Sequence, residues 1–230
     1  MTSVTGTDGS RARPEVVAFD VNETLLDLAP VAATLIELGQ PEHLLPTIFG
    51  RTLLTGFAGT VTGTWFPFRQ AFDAALAQLT DLSAGDRSRV ADAFQELAPH
   101  PDVEPALRRL AESGVRAITL SQGSPGVAEA GLERGGVAAL VERSMSSESI
   151  GAWKPAREVY LWAAGACGVA PDRLALVAAH GWDVQGAQRA GLTGAWIPRT
   201  ERVYPSVYDE AHVQGEDLPS AVEALLALPA

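Results

Sequence analysis

The chain has a single cysteine among 230 residues, so no disulfide can form within it. It has no apolar run long enough to span a bilayer. Cations are scarce, with 17 Lys and Arg against 28 Asp and Glu and a formal net charge of −11. That deficit excludes a general nucleic-acid or anionic-membrane binder, because both need a basic face. It leaves small substrates open, since a local cationic pocket can sit inside an acidic protein. The opening MTSVTGTDGSRARP has no apolar h-region and predicts a disordered leader over residues 1–13, not a signal peptide. Hydrophobic content of 47% and charged content of 20% are those of a soluble globular protein, and the expected compartment is the cytoplasm. Cys167, in the small-residue stretch AAGACGVA, is expected to be a buried structural thiol.

What is present changes character along the chain. EVVAFDV is a short β-branched run followed by polar NET, which predicts a buried strand ending in a loop. From Asp27 to Pro101 the periodicity is helical, in PVAATLIELG, LLPTIFGRTLL, FRQAFDAALAQL and DRSRVADAFQEL, punctuated by Gly and Pro. After Pro105 strands (VRAITLS, LALVAAH, GAWIP) alternate with helices (PALRRLAESG, SPGVAEAGLERGG, PAREVYLWAAGACG, VQGAQRAG), and LPSAVEALLAL closes the chain. Such alternation implies right-handed crossovers. The expected fold is α/β: a Rossmann-like, mainly parallel sheet with helices on both faces and a helical cap inserted after the first strand. The core would take residues 14–26 and 102–230, and the cap 27–101.

In sheets of this kind ligands bind beyond the carboxyl ends of the strands. Asp20, Ser121 and the segment His180 to Asp183 fall there, and Lys154 precedes a proline able to open a helix. Each alone has an ordinary explanation as a cap, a turn or a solvated side chain. Together they make a carboxylate nucleophile with the company it needs: a lysine to hold it ionised, a hydroxyl for substrate oxygens, and a second acid to orient lysine or water.

FDVNETLLD, TLSQGS, WKPAREVY and HGWDVQGAQRAG, in this order and with a helical insertion after the first, resemble the four motifs of the haloacid dehalogenase superfamily. The likeness is greatest to its hydrolytic L-2-haloacid dehalogenase (type II) branch. Arg51 lies 31 positions after Asp20, Tyr160 six after Lys154, and Trp182 directly before Asp183, where that branch has an arginine handling halide and carboxylate, a tyrosine and a tryptophan. The resemblance implies Asp20 as nucleophile, fixed by Thr24 and Lys154, with Arg51, Ser121 and Asp183 as further catalytic residues. It implies Asn22, Gln122, Tyr160, His180 and Trp182 at the substrate, with Phe57, Trp65 or Phe66 from the cap excluding water. The implied substrate is a short (S)-2-haloacid, converted to a 2-hydroxy acid through an aspartyl ester. Neither metal nor other cofactor is implied, nor a nucleic-acid or membrane partner, and a homodimer is compatible with the family.

Most members of the superfamily are Mg²⁺-dependent phosphatases, so the fold does not choose the chemistry. Those enzymes have a second Asp two positions after the nucleophile. Here Asn22 stands there, and its amide cannot serve as a general acid. They also hold Mg²⁺ with two acids four apart, the first of which here is Ala179. Carbon is therefore the expected target, with a phosphatase or a non-catalytic binding protein as alternatives. Where the dehalogenase branch has Ser and Asn in its fourth motif, this chain has Ala178 and His180. His180 could act as a base near neutrality, or could fill space with one neutral hydrogen bond.

Overall fold

The computed structural model describes residues 11–230. Residues 1–10 of the expected leader lie outside them. Its last residues are held to the body of the molecule, contrary to expectation: the Arg11 guanidinium donates to the Gly191 carbonyl at 3.2 Å and that of Arg13 to Ser113 at 3.1 Å.

Six parallel strands form the sheet. They are β1 (Val16–Phe19), β4 (Arg116–Ser121), β5 (Arg143–Ser146), β6 (Leu174–Ala178), β7 (Thr193–Trp196) and β8 (Val213–Gln214), in the order β5-β4-β1-β6-β7-β8. β1 lies in the middle, with Phe19 opposite Thr119 of β4 and Val177 of β6. All four β1 residues are fully buried, because both faces of the sheet are covered. Their side chains alternate between two apolar layers. Val17 and Phe19 join one layer, with α5 (Val103–Glu112), α6 (Pro125–Arg134) and α9 (Leu218–Leu226). Val16 and Ala18 join the other, with α7 (Arg157–Cys167) and α8 (Gly181–Ala190). α5 shows why these helices dock: Val103, Ala106, Leu107 and Leu110 make one buried stripe, and Gly114 ends the run at φ 72°. Cys167 is buried at the end of α7, and burial pushes its thiol up.

Between β1 and α5 the chain runs through α1 (Ala29–Glu37), α2 (Leu44–Thr62), α3 (Phe68–Leu79) and α4 (Ala84–Asp92). Two short strands, β2 (Leu26–Asp27) and β3 (Ala98–Pro99), pair antiparallel where this segment leaves and rejoins the sheet. α2 continues through Gly50, Gly56 and Gly59 to Gly63 at φ 69°, longer than its glycine punctuation suggests. Gly56 is needed for packing. A Cβ there would lie 2.1 Å from Trp153, whose indole N–H donates to the Phe66 carbonyl and so ties the α2–α3 connection to the loop carrying Lys154. Among the described residues no helix is long and apolar enough to cross a membrane.

Candidate active site

Asp20 continues β1 by one residue, its N–H donating to the Val177 carbonyl at 3.0 Å, so its side chain stands at the carboxyl edge between β4 and β6. A tight turn follows, in which the N–H groups of Leu25 and Leu26 both reach the Val21 carbonyl. Glu23 occupies the left-handed region at φ 63°, which a residue with a Cβ rarely adopts. This turn brings Thr24 back onto the aspartate. Its hydroxyl donates to Asp20 Oδ2 at 2.7 Å while its Oγ1 accepts from the Ala179 N–H at 3.0 Å.

Lys154 is completely buried and its ammonium makes three hydrogen bonds. They go to Asp20 Oδ1 at 2.8 Å, Asp183 Oδ2 at 2.6 Å and the Leu120 carbonyl at 2.9 Å. Gln122 sets this lysine's backbone, accepting from its N–H at 2.7 Å and donating to Ser147 Oγ at 2.8 Å. Asp183, in the first turn of α8, takes the Tyr160 hydroxyl on its other oxygen at 2.6 Å. His180 completes the array: Nδ1 lies 3.1 Å from Asp20 Oδ2 and Nε2 2.9 Å from Glu23 Oε2. Its ring is held between Phe49, at 6.0 Å between centroids, and Trp182, at 5.5 Å.

The electrostatics follow from this geometry. Burial alone would favour neutral Asp20, but the Lys154 charge and His180 outweigh it and hold the carboxyl well below the usual range. Burial raises Asp183. Burial also opposes a charged His180, yet the two facing carboxylates win and push its pKa up to about 10. With a carboxylate oxygen on each ring nitrogen, the geometry favours the imidazolium, which donates from both. In that charged form the ring has no lone pair for a base and its hydrogen bonds are not neutral, so the geometry favours neither earlier expectation.

Asn22 and Ser121 open onto a cavity of 310 Å³, walled by Phe68 and Phe72 of α3, Phe94, Val127 and Glu148, with Arg69 among its lining. Asn22 Oδ1 is buried without a protein partner, and Ser121 Oγ accepts from the Gly123 N–H at 2.9 Å. Glu148 anchors this wall by accepting from the Phe68 N–H at 3.0 Å.

Asp20, Thr24, Lys154, His180, Trp182 and Asp183 are thus brought together, with Asn22 and Ser121 beside them. Three expected residues take other places. Arg51 is exposed on α2 and donates to Gln78 at 3.0 Å, because the buried stripe of that helix runs through Ile48, Phe49, Thr52, Leu53 and Gly56. Tyr160 is fully buried behind Asp183, so it supports that carboxylate and does not face the cavity. Gln122 is bound to Lys154 and Ser147 and serves as a holder. Of the aromatics expected to exclude water, Phe57 meets Trp182 edge-on at 5.2 Å, Phe66 packs on Trp153, and Trp65 is half exposed. Sequence reasoning missed Glu23, Phe49, Arg69 and Glu148. Only the position of Glu23 within DVNET carried any signal.

The donor set does not suit Mg²⁺, which needs several oxygen ligands in near-octahedral array. A cationic imidazolium and a threonine hydroxyl already face Asp20 Oδ2, and a buried methyl stands at Ala179. Among the described residues no group of three or more His, Cys, Asp or Glu is placed to hold a metal ion.

Residues 14–191 match the family model of haloacid dehalogenase-like hydrolases. An (S)-2-haloacid dehalogenase from Pseudomonas sp. strain YL is 28% identical over 214 residues, covering 90% of this chain and 92% of that one. Haloacetate dehalogenase H-2 from Moraxella sp. strain B is 28% identical over 203 residues, covering 85% and 89%. The L-2-haloacid dehalogenase of Xanthobacter autotrophicus shares the fold at 20% identity with a TM-score of 0.85, over 94% of this chain and 99% of that one. A second structure of it, with chloropropionic acid covalently bound, superposes with a TM-score of 0.84. With a family model spanning most of its length, and the family's α/β sheet carrying an acid, a lysine and a second acid at one edge, the chain belongs to the haloacid dehalogenase-like hydrolases.

Proposed function

We propose that this hydrolase converts short 2-haloacids to 2-hydroxy acids through a covalent ester on Asp20, without a metal, with residues 27–101 acting as a cap over the core. The observation that carries this reading is a buried, ionised carboxylate neutralised by Lys154 and His180, with Asn22 where phosphoryl transfer would need an acid. The relatives named as dehalogenases support it. The carboxylate attacks C2 of the substrate and halide departs. Water then cleaves the ester at the Asp20 carboxyl carbon. Asn22 and Ser121 face the substrate, and the phenyl rings of Phe68, Phe72 and Phe94 receive an apolar group on C2.

Halide release from 2-haloacids of increasing chain length, in chelator, tests the reading. Halide should appear undiminished by the chelator and rise from haloacetate to 2-halobutyrate as the apolar wall fills. Mg²⁺-dependent phosphate release from an aryl phosphate, with no halide from any haloacid, would replace it with a phosphatase.

Arg69 lines the cavity, which supports a contact with the substrate carboxylate, and Asp92 at 2.7 Å shares its charge at the half-exposed mouth. Arg69→Ala should raise KM about tenfold, the loss of one charge-assisted contact, and leave kcat nearly unchanged. Arg51→Ala should leave both parameters within roughly twofold, as for an exposed side chain remote from substrate. Steady-state kinetics of the two variants would decide between the arginines.

A further inference from the structure

The two oxygens of Asp20 are held differently. Oδ1 accepts from Lys154 alone, whose ammonium also binds the Leu120 carbonyl at the end of β4 and Asp183 in α8. Oδ2 accepts from Thr24 and His180 on the β6 flank, where Thr24 is itself fixed by the Ala179 N–H. With one donor against two, Oδ1 is the oxygen freer to attack the substrate. Oδ2 is then left as the carbonyl oxygen of the ester, with two donors already aimed at it.

We propose that His180 and Thr24 form the oxyanion hole for hydrolysis of the Asp20 ester, and that Glu23 is a positioning residue that keeps His180 in place as a donor. The proposal rests on the aspartyl-ester reading. Water adds to Cγ, and the carbonyl π pair moves onto Oδ2 between the imidazolium N–H and the Thr24 hydroxyl. The Cγ–Oδ1 bond then breaks, so Oδ1 leaves in the product hydroxyl with one water proton, while the water oxygen stays on the enzyme. The other proton departs when the regenerated carboxyl ionises. A cationic donor fixed in advance at the site of developing charge stabilises that charge with little reorganisation.

Three features fit this role. Esterification removes the negative charge of Asp20, and Glu23, bonded to the other ring nitrogen at 2.9 Å, is the anion that still faces the imidazolium. Phe49 and Trp182 cover the ring faces, and the Lys154 ammonium stands over the Trp182 ring, 5.9 Å from its centre. Glu23 also holds an unfavourable backbone conformation, φ 63°, that brings its carboxylate to His180.

Rapid quench with 2-chloropropionate separates the two half-reactions in wild type, His180→Gln and Glu23→Gln. Chloride reports formation of the ester, and intact-protein mass reports its survival. In both variants Lys154 still faces Asp20 Oδ1, so release of the first equivalent of chloride should slow less than hydrolysis does. His180→Gln should then turn over about 10²-fold more slowly, the usual cost of one oxyanion donor, with the adduct accumulating on Asp20. Glu23→Gln should lose hydrolysis with rising pH at a lower pH than wild type, because its imidazolium has lost one carboxylate. The assignment is overturned if the adduct forms and both variants hydrolyse it at the wild-type rate and pH profile, or if chloride release and hydrolysis slow equally with no adduct. If repeated turnover of wild type in H₂¹⁸O leaves no label in Asp20, the ester reading fails, and this assignment with it.

Discussion

Asp20→Asn is expected to abolish halide release, by about 10⁴-fold or more, equivalent to at least about 5 kcal/mol of barrier. The amide has no anionic oxygen to displace halide at carbon. The substitution also disturbs the surrounding donors. Lys154 faces one oxygen, while Thr24 and His180 face the other. Thr24 cannot reverse its role, since its Oγ1 already accepts from Ala179. Whichever way the amide turns, its NH₂ meets a donor, so the fold should also lose some stability. Two measurements separate these effects. Thermal melting establishes that the variant is folded, and turnover of wild type in H₂¹⁸O should leave label in the Asp20 peptide. A folded Asp20→Asn retaining more than about a thousandth of the activity, together with unlabelled wild-type Asp20, would mean that water attacks the substrate directly.

How far the sequence revealed this molecule depended on burial. β1, β4 and β6 were legible because both faces are covered, which leaves apolar runs ending in a polar residue. β5 was not, since RSMS is an edge strand with Arg143 exposed and little apolar pattern to carry. β2, β3 and β8 are two residues each, too short for any periodicity. Within the site, strand ends located Asp20, Ser121 and His180 without further help. Spacing worked less well on helices. A count of 31 from Asp20 names Arg51, but α2 buries the stripe containing Phe49 and Thr52 and turns Arg51 to solvent. Tyr160 is adjacent to the site by count and by contact, yet it touches the far side of Asp183. Glu23 had no legible partner, because its link to His180 joins residues 157 apart in sequence.

Lys154→Met should destabilise the protein by roughly 3–5 kcal/mol near neutral pH, the cost of removing one member of a buried ion pair. The ammonium has no exposed surface and lies between carboxylates at 2.8 and 2.6 Å. Methionine fills similar space but leaves Asp20 and Asp183 facing each other without the cation. Lys154→Arg should be no rescue, since the planar fork of a guanidinium cannot converge on three acceptors at 2.6 to 2.9 Å in a closed site. The pH dependence supplies the test. In wild type Asp20 titrates well below its ordinary value, so its contribution is present above the unfolded pKa of about 4 and is lost as pH falls. In Lys154→Met, Asp183 is left without a cation and Asp20 with His180 alone, so the desolvated carboxyls titrate higher than in wild type. Relative to wild type they therefore favour the folded state at low pH and oppose it as pH rises through their folded pKa. Both trends act in one direction: the stability gap between the proteins should be widest near pH 7 and narrow steadily towards pH 4. Urea unfolding of both proteins at several pH values measures it. A gap independent of pH would mean that Lys154 contributes packing alone, and that His180 suffices to keep Asp20 an anion.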